Sequence, residues 1–189
     1  MCDNLINRKC TPEAYFQMEI ASEIRHEYRD GEIIAVANNT PHHNRLCGAF
    51  YALLWMQLRG KPYTVFITGQ RLWIPAGNVY TYPDIMIVGQ PIELQEGRQD
   101  TVVNPIVIAE VLSDTTAAYD RGDKFALYRT INTLQEYLLI DQYRVSVEHY
   151  RKTAPNQWLF SVHQAKDETV TIASVDVEIE LNELYEGIL

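Results

Sequence analysis

No stretch of this 189-residue chain approaches the roughly 18 to 20 consecutive apolar residues that a membrane-spanning helix needs. The opening residues Met1 to Leu5 lack a basic segment followed by an apolar one, so a cytoplasmic protein is expected. Cysteine is scarce: Cys2, Cys10 and Cys47 form an odd set without zinc-ligand spacing. A disulfide scaffold is therefore not expected, and Cys47 reads as a small core residue. The chain also has no Gly-rich phosphate loop and no G-x-S-x-G nucleophile elbow. Cations are in short supply, with 16 Lys and Arg against 25 Asp and Glu and a formal charge of −9. That balance excludes a protein that coats DNA through many phosphate contacts. It leaves room for a metal enzyme, whose clustered carboxylates stay negative until cations fill the site.

Hydrophobic residues supply 47% of the chain and charged residues 22%, the balance of a globular protein with a real core. Without a linker, repeat or low-complexity tract, residues 1–189 read as one domain. Thr11-Pro12-Glu13 predicts a helix start and a short helix to about Met18. Residues 24–37 predict a hairpin about Asp30-Gly31. A second helix is expected from Pro41 or His42 to Leu58, with Thr40 as N-cap and apolar residues at helical spacing. Strands follow at 63–67, 71–74, 84–88 and 106–112. A helix is expected from Ser113 to about Tyr128, then strands at 136–141 and 145–150 and further hairpin strands near 158–162 and 169–172. The order strand, helix, strand over 106–141 is that of a βαβ-like unit in a mixed α/β sheet.

Glu110 carries the most information. It sits in Ile108-Ala109-Glu110-Val111-Leu112, a run that reads as buried on both faces. A buried carboxylate is costly unless it is paired or binds metal. Asp84, after Pro83, opens a second apolar strand. Two carboxylates on neighbouring strands, about 4.8 Å apart, repel one another unless a cation lies between them. An oxygen ligand set of that kind suits Mg²⁺ or Mn²⁺. Downstream, Asp120, Lys124 and Tyr128 recur at intervals of four on one helical face, which offers Lys124 a path toward the carboxylates or, equally, a solvated Asp–Lys pair. Asp123 is expected on the outer face. Glu32 lies in the hairpin, and His42 and His43 at the start of the second helix. A His facing the sheet could serve metal binding or proton transfer.

An ordered set of segments then suggests a family. Gly31-Glu32, Thr40-Pro41-His42-His43-Asn44-Arg45, Tyr82-Pro83-Asp84, Asn104 to Ser113, Tyr119 to Lys124, Tyr128-Arg129 and Glu136 to Ile140 together resemble the Uma-two family of putative restriction endonucleases. The resemblance runs from about residue 12 to 185. It implies a PD-(D/E)XK, restriction-endonuclease-like fold, a mixed β-sheet flanked by helices. It matches Asp84 to the Asp of the PD element and Glu110 to the acidic residue of the (D/E)XK strand, as metal ligands. It places Glu32 and His43 near the site and makes Lys124 the replacement for the motif lysine, at whose usual position Leu112 stands. The activity implied is Mg²⁺- or Mn²⁺-dependent hydrolysis of phosphodiester bonds in DNA, with a catalytically inactive binding module as the alternative. Strands near the C-terminus could also pair across a homodimer interface.

Overall fold

The computed structural model describes residues 9–36 and 40–189. The expectations placed on Cys2 and on Met1 to Leu5 lie outside them.

Helix α1 (Pro12–Ala21) starts where Thr11 caps it, its hydroxyl accepting from the Ala14 N–H at 3.3 Å. It leads into the hairpin of β1 (His26–Arg29) and β2 (Glu32–Ala35). The turn needs positive φ at both central residues, and Asp30 and Gly31 supply it at 44° and 101°. Helix α2 (Pro41–Leu58) begins at the predicted cap, with the Thr40 hydroxyl accepting from the His43 N–H at 3.1 Å.

Strands β3 (Tyr63–Ile67), β4 (Arg71–Ile74), β5 (Val79–Thr81), β6 (Ile85–Gly89), β7 (Thr101–Val102) and β8 (Pro105–Leu112) follow. Beyond β8 lie α3 (Ala117–Tyr119), a π turn (Asp120–Lys124) and α4 (Phe125–Tyr128). The chain continues through β9 (Glu136–Asp141), β10 (Val147–Ala154), β11 (Gln157–His163), β12 (Thr169–Ile172), β13 (Val177–Glu180) and α5 (Leu181–Leu184).

The expected mixed sheet is the six-stranded one, in the order β11-β10-β9-β8-β6-β3. Its one parallel pairing, β8 with β9, is spanned by the α3–π–α4 segment, as the strand–helix–strand order requires. A second sheet was not anticipated: β2-β1-β5-β4-β7, with β12 and β13 as a separate hairpin. Strands β5 and β7 are three and two residues long, too short to show a period of two.

Strand β8 is buried on both faces, as its composition demands. Val107, Ala109 and Val111 join Leu46, Phe50 and Leu54 of α2 in one core. Ile108 and Leu112 join Tyr128, Tyr137 and Leu139 in another. Glu110 lies on this second face, between Ile108 and Leu112. The predicted helix from Ser113 to Tyr128 is interrupted. Ser113 is not its N-cap, which is Thr116; the Ser113 hydroxyl accepts the Thr116 N–H at 3.3 Å in the preceding turn, and residues 120–124 open into a π turn. Such turns widen a helix by one residue and often mark functional sites.

Candidate metal centre and active site

The site forms where β6 and β8 part. Ile85 pairs with Ala109, and one residue beyond that pair each strand presents a carboxylate to the other. Asp84 Oδ2 accepts the Val111 N–H at 2.9 Å, and Glu110 Oε2 accepts the Asp84 N–H at 3.4 Å. Each acid thus occupies a ladder position that a backbone carbonyl would otherwise fill. This anchoring fixes both carboxylates without long flexible stems.

Three further elements close around them. From α2, His43 Nε2 lies 3.1 Å from Asp84 Oδ2, and its other ring nitrogen, Nδ1, lies 3.5 Å from the Cys47 thiol. From the π turn, Lys124 Nζ lies 2.8 Å from Glu110 Oε1 and 3.4 Å from Asp120 Oδ1. From α4, the Tyr128 hydroxyl donates to the same Glu110 Oε1 at 2.6 Å. Lys124 and Asp120 are buried, so they are not the solvated pair their spacing also permitted. Asp123, by contrast, is on the outer face as expected, and His42 is exposed. His43, Asp84, Glu110, Asp120 and Lys124 line a cavity of about 390 Å³.

Glu32 is not brought to the cavity. It is exposed on the edge strand β2, opposite Arg29. The carboxylate that the hairpin does supply is Glu27, which the sequence reading missed. Glu27 is buried in the cavity wall, accepts from the Thr81 hydroxyl at 2.5 Å and pairs with Arg29 at 2.5 Å.

The electrostatics show a shortage of positive charge. Glu27, Asp84, Glu110 and Asp120 all line the cavity, against the fixed cations Lys124 and Arg29. Burial, with the charges of Asp84 and Asp120 added to it, pushes Glu110 up to about 8 although Lys124 pulls the other way. For Lys124, burial alone would lower the value, but Glu110, Glu27 and Asp120 outweigh it and keep the ammonium protonated at neutral pH. Glu27 is held below its ordinary value: burial opposes this, and Lys124, Thr81 and Arg29 prevail. A carboxyl pushed toward its neutral form beside a second acid is the signature of a site short of a cation. Carboxylate oxygens on Asp84 and Glu110 fit a hard divalent ion there.

His43, Cys47 and Asp84 also offer donor atoms within 4.8 Å of one another. Burial, then the charges of Asp84 and Glu110, pushes the Cys47 thiol upward. The group does not include Glu110.

Residues 12–182 match the family model described as Uma2, putative restriction endonuclease. The chain belongs to the Uma2 family. Two relatives of this Uma2 chain are proteins of Synechocystis sp. that carry only the description uncharacterized. One, sll1609, is 41% identical over 151 residues, covering 80% of this chain and 85% of its own length. The other, slr1290, is 31% identical over 182 residues, covering 95% of this chain and 93% of its own. A crystal structure from Anabaena variabilis, described as a putative nuclease belonging to DUF820, superposes with a TM-score of 0.73. It covers 89% of this chain and 93% of its own at 19% identity, so the likeness speaks to the fold. The restriction-endonuclease-like α/β class read from the sequence is thus the class observed.

Proposed function

We propose that this Uma2 chain is a divalent-cation-dependent endonuclease that hydrolyses phosphodiester bonds in DNA. The observation that carries the reading is the meeting of Asp84, Glu110 and Lys124, three residues far apart in sequence, in one cavity wall.

Asp84 and Glu110 hold the cation, Mg²⁺ or Mn²⁺, through the carboxylate oxygens that the split ladder presents. When bound, such an ion lowers the pKa of a water and neutralises charge developing on the phosphate. The chain's own groups supply the rest. Lys124 brings an ammonium that remains charged at neutral pH and can stabilise a phosphoryl oxygen. Its flexible stem from the π turn does the work of the motif lysine that Leu112 displaces. The Tyr128 hydroxyl orients the Glu110 carboxylate, and His43 orients Asp84. The charge of Glu27 adds to that of Glu110 in keeping the ammonium protonated.

A specific feature favours a second reading, a binding module of the same fold without activity: the charge of −9 opposes the approach of a polyanion. The deciding experiment titrates the purified protein with Mg²⁺ or Mn²⁺ in the presence of plasmid and single-stranded DNA, beside Glu110→Ala. Metal-dependent cutting that disappears in the variant is the expected result. DNA or metal binding without cutting on either substrate would transfer the assignment to the inactive module.

A further inference from the structure

We infer that the outer edge of β11 is an interface at which two copies of this chain pair, strand against antiparallel strand, to form one continuous sheet. The inference stands apart from the nuclease reading and from the cavity at Asp84 and Glu110.

Strand β11 ends the six-stranded sheet, and among the described residues β10 is its one strand neighbour. A free edge presents a row of unpaired N–H and C=O groups, which sheets commonly protect with charged side chains, proline or a very short strand. β11 has none of these protections. Its seven residues, Gln157–His163, include no Asp, Glu, Lys, Arg or Pro. Leu159, Phe160 and Val162 are instead 50%, 51% and 41% exposed. The other sheet ends are different. Strand β2 carries the exposed Glu32, β7 is two residues long, and β3 leaves no large hydrophobic side chain exposed.

The strand is complementary to itself. A two-fold axis normal to the sheet at Phe160 overlaps the full length of both strands. It sets Phe160 opposite Phe160 of the second copy, Trp158 opposite Val162 and Leu159 opposite Ser161. Residues directly opposite one another lie on one face of the sheet and pack together. The ring of Phe160 already meets Tyr150 at 4.8 Å, and that of Trp158 meets Phe125 at 5.3 Å. The aromatic row from Tyr150 to Phe160 would therefore run on across the axis, and the open side of Phe160 would be covered.

Charge favours the same arrangement. Two copies at −9 each repel one another except where acids are few. Just inside this edge, β10 carries Arg151 and Lys152 against Glu148, which Arg121 already pairs at 2.7 Å. Glu148 is opposite Val162, and Lys152 is opposite Trp158. Antiparallel pairing thus brings Lys152 of each copy into line with Glu148 of the other, three strand spacings or about 14 Å away. Parallel pairing would bring like charges into line.

The test is sedimentation velocity of the full chain over a series of concentrations. The mass is expected to rise to twice that of the monomer, and Phe160→Lys and Val162→Lys should stay monomeric throughout. Phe160→Cys should form a cross-linked dimer on mild oxidation, because opposed Cβ atoms lie about 4.5 to 5.5 Å apart, whereas Gln157→Cys at the far end of the strand should not. Hydrogen exchange of wild type guards against a variant that merely fails to fold: the amides of β11 should exchange more slowly as concentration rises. A monomer at every concentration, which would leave the edge to some other protein, would overturn the inference. So would a dimer that persists in both Lys variants, or β11 exchange that is independent of concentration.

Discussion

Lys124 is the single residue on which the buried charge balance turns. Its ammonium is 2.8 Å from Glu110 and 3.4 Å from Asp120, in a region where neither acid reaches bulk solvent freely. Breaking a buried pair by removing one partner leaves an uncompensated charge and costs about 3 to 5 kcal/mol. Lys124→Met should therefore lower the urea midpoint at pH 7 by that amount of stability. Adding Glu110→Gln to it should recover a large part of the loss, because the buried carboxyl left without its partner is then gone. Additive losses in the double variant would show that the two residues do not form the pair described. At this scale the sequence was informative where a charge interrupts an apolar strand: Asp84 and Glu110 could be picked out for that reason. Glu27 could not. In a hairpin that alternates on both strands, Glu27 and Glu32 look alike, and alternation assigns a face without saying which strand lies inward. That choice is made by β5, which pairs with β1 and leaves β2 at the edge.

Among the elements, the β12–β13 hairpin is tied to the six-stranded sheet through the buried carboxylate of Glu136. Glu136 of β9 lies 2.5 Å from His149 Nε2 of β10 and accepts the Ser174 N–H of the hairpin turn at 2.6 Å. Burial alone would raise Glu136, but the contacts with His149 and Ser174 prevail and hold it below the ordinary 4.5. A carboxyl with a depressed value in the fold adds stability that is present above its unfolded value and is lost as pH falls through the folded one. Glu136→Gln should consequently flatten the fall in stability below about pH 4.5, seen as a smaller change of urea midpoint with pH than in wild type. Hydrogen exchange at the 173–175 turn should rise in the variant at neutral pH. An unchanged pH profile would remove Glu136 from the account of acid lability. The long elements were legible: α2 with its cap, the Asp30–Gly31 hairpin and β8 all follow from local chemistry. The second sheet and the π turn were not. The first depends on pairings between strands distant in sequence. The second is hidden because residues four apart fall on one side of either helix type.

Over the whole molecule, the net charge of −9 sets how nucleic acid can approach. In the nuclease proposed above, few phosphates would be neutralised by such a chain, and recognition would rest on the cation and a small number of side chains. Each neutralised phosphate contributes a slope of about −0.9 to the logarithm of affinity against the logarithm of salt on duplex DNA. The expected slope with divalent cation present is therefore shallow, no steeper than about −3, for a labelled duplex followed by fluorescence anisotropy with Glu110→Gln to prevent turnover. A slope near −6 or beyond would reveal an extensive basic face and contradict this picture.

The π turn has a genetic consequence. A π turn carries one residue more than the α-helical turn it replaces, so losing a single codon there closes it. The turns before and after the closure would keep nearly their relative orientation, while the side chains inside the turn would be re-aimed. Asp120 and Lys124 would then be three residues apart instead of four, and the 3.4 Å pairing and the aim of Lys124 at Glu110 would be altered. Deletion of Gly122 should accordingly abolish any cation-dependent activity and stability gain. Gly122→Ala should leave both unchanged, since a methyl group there meets nothing within 4 Å. In this segment a change in the number of residues between two charges should matter more than a change in the identity of those residues.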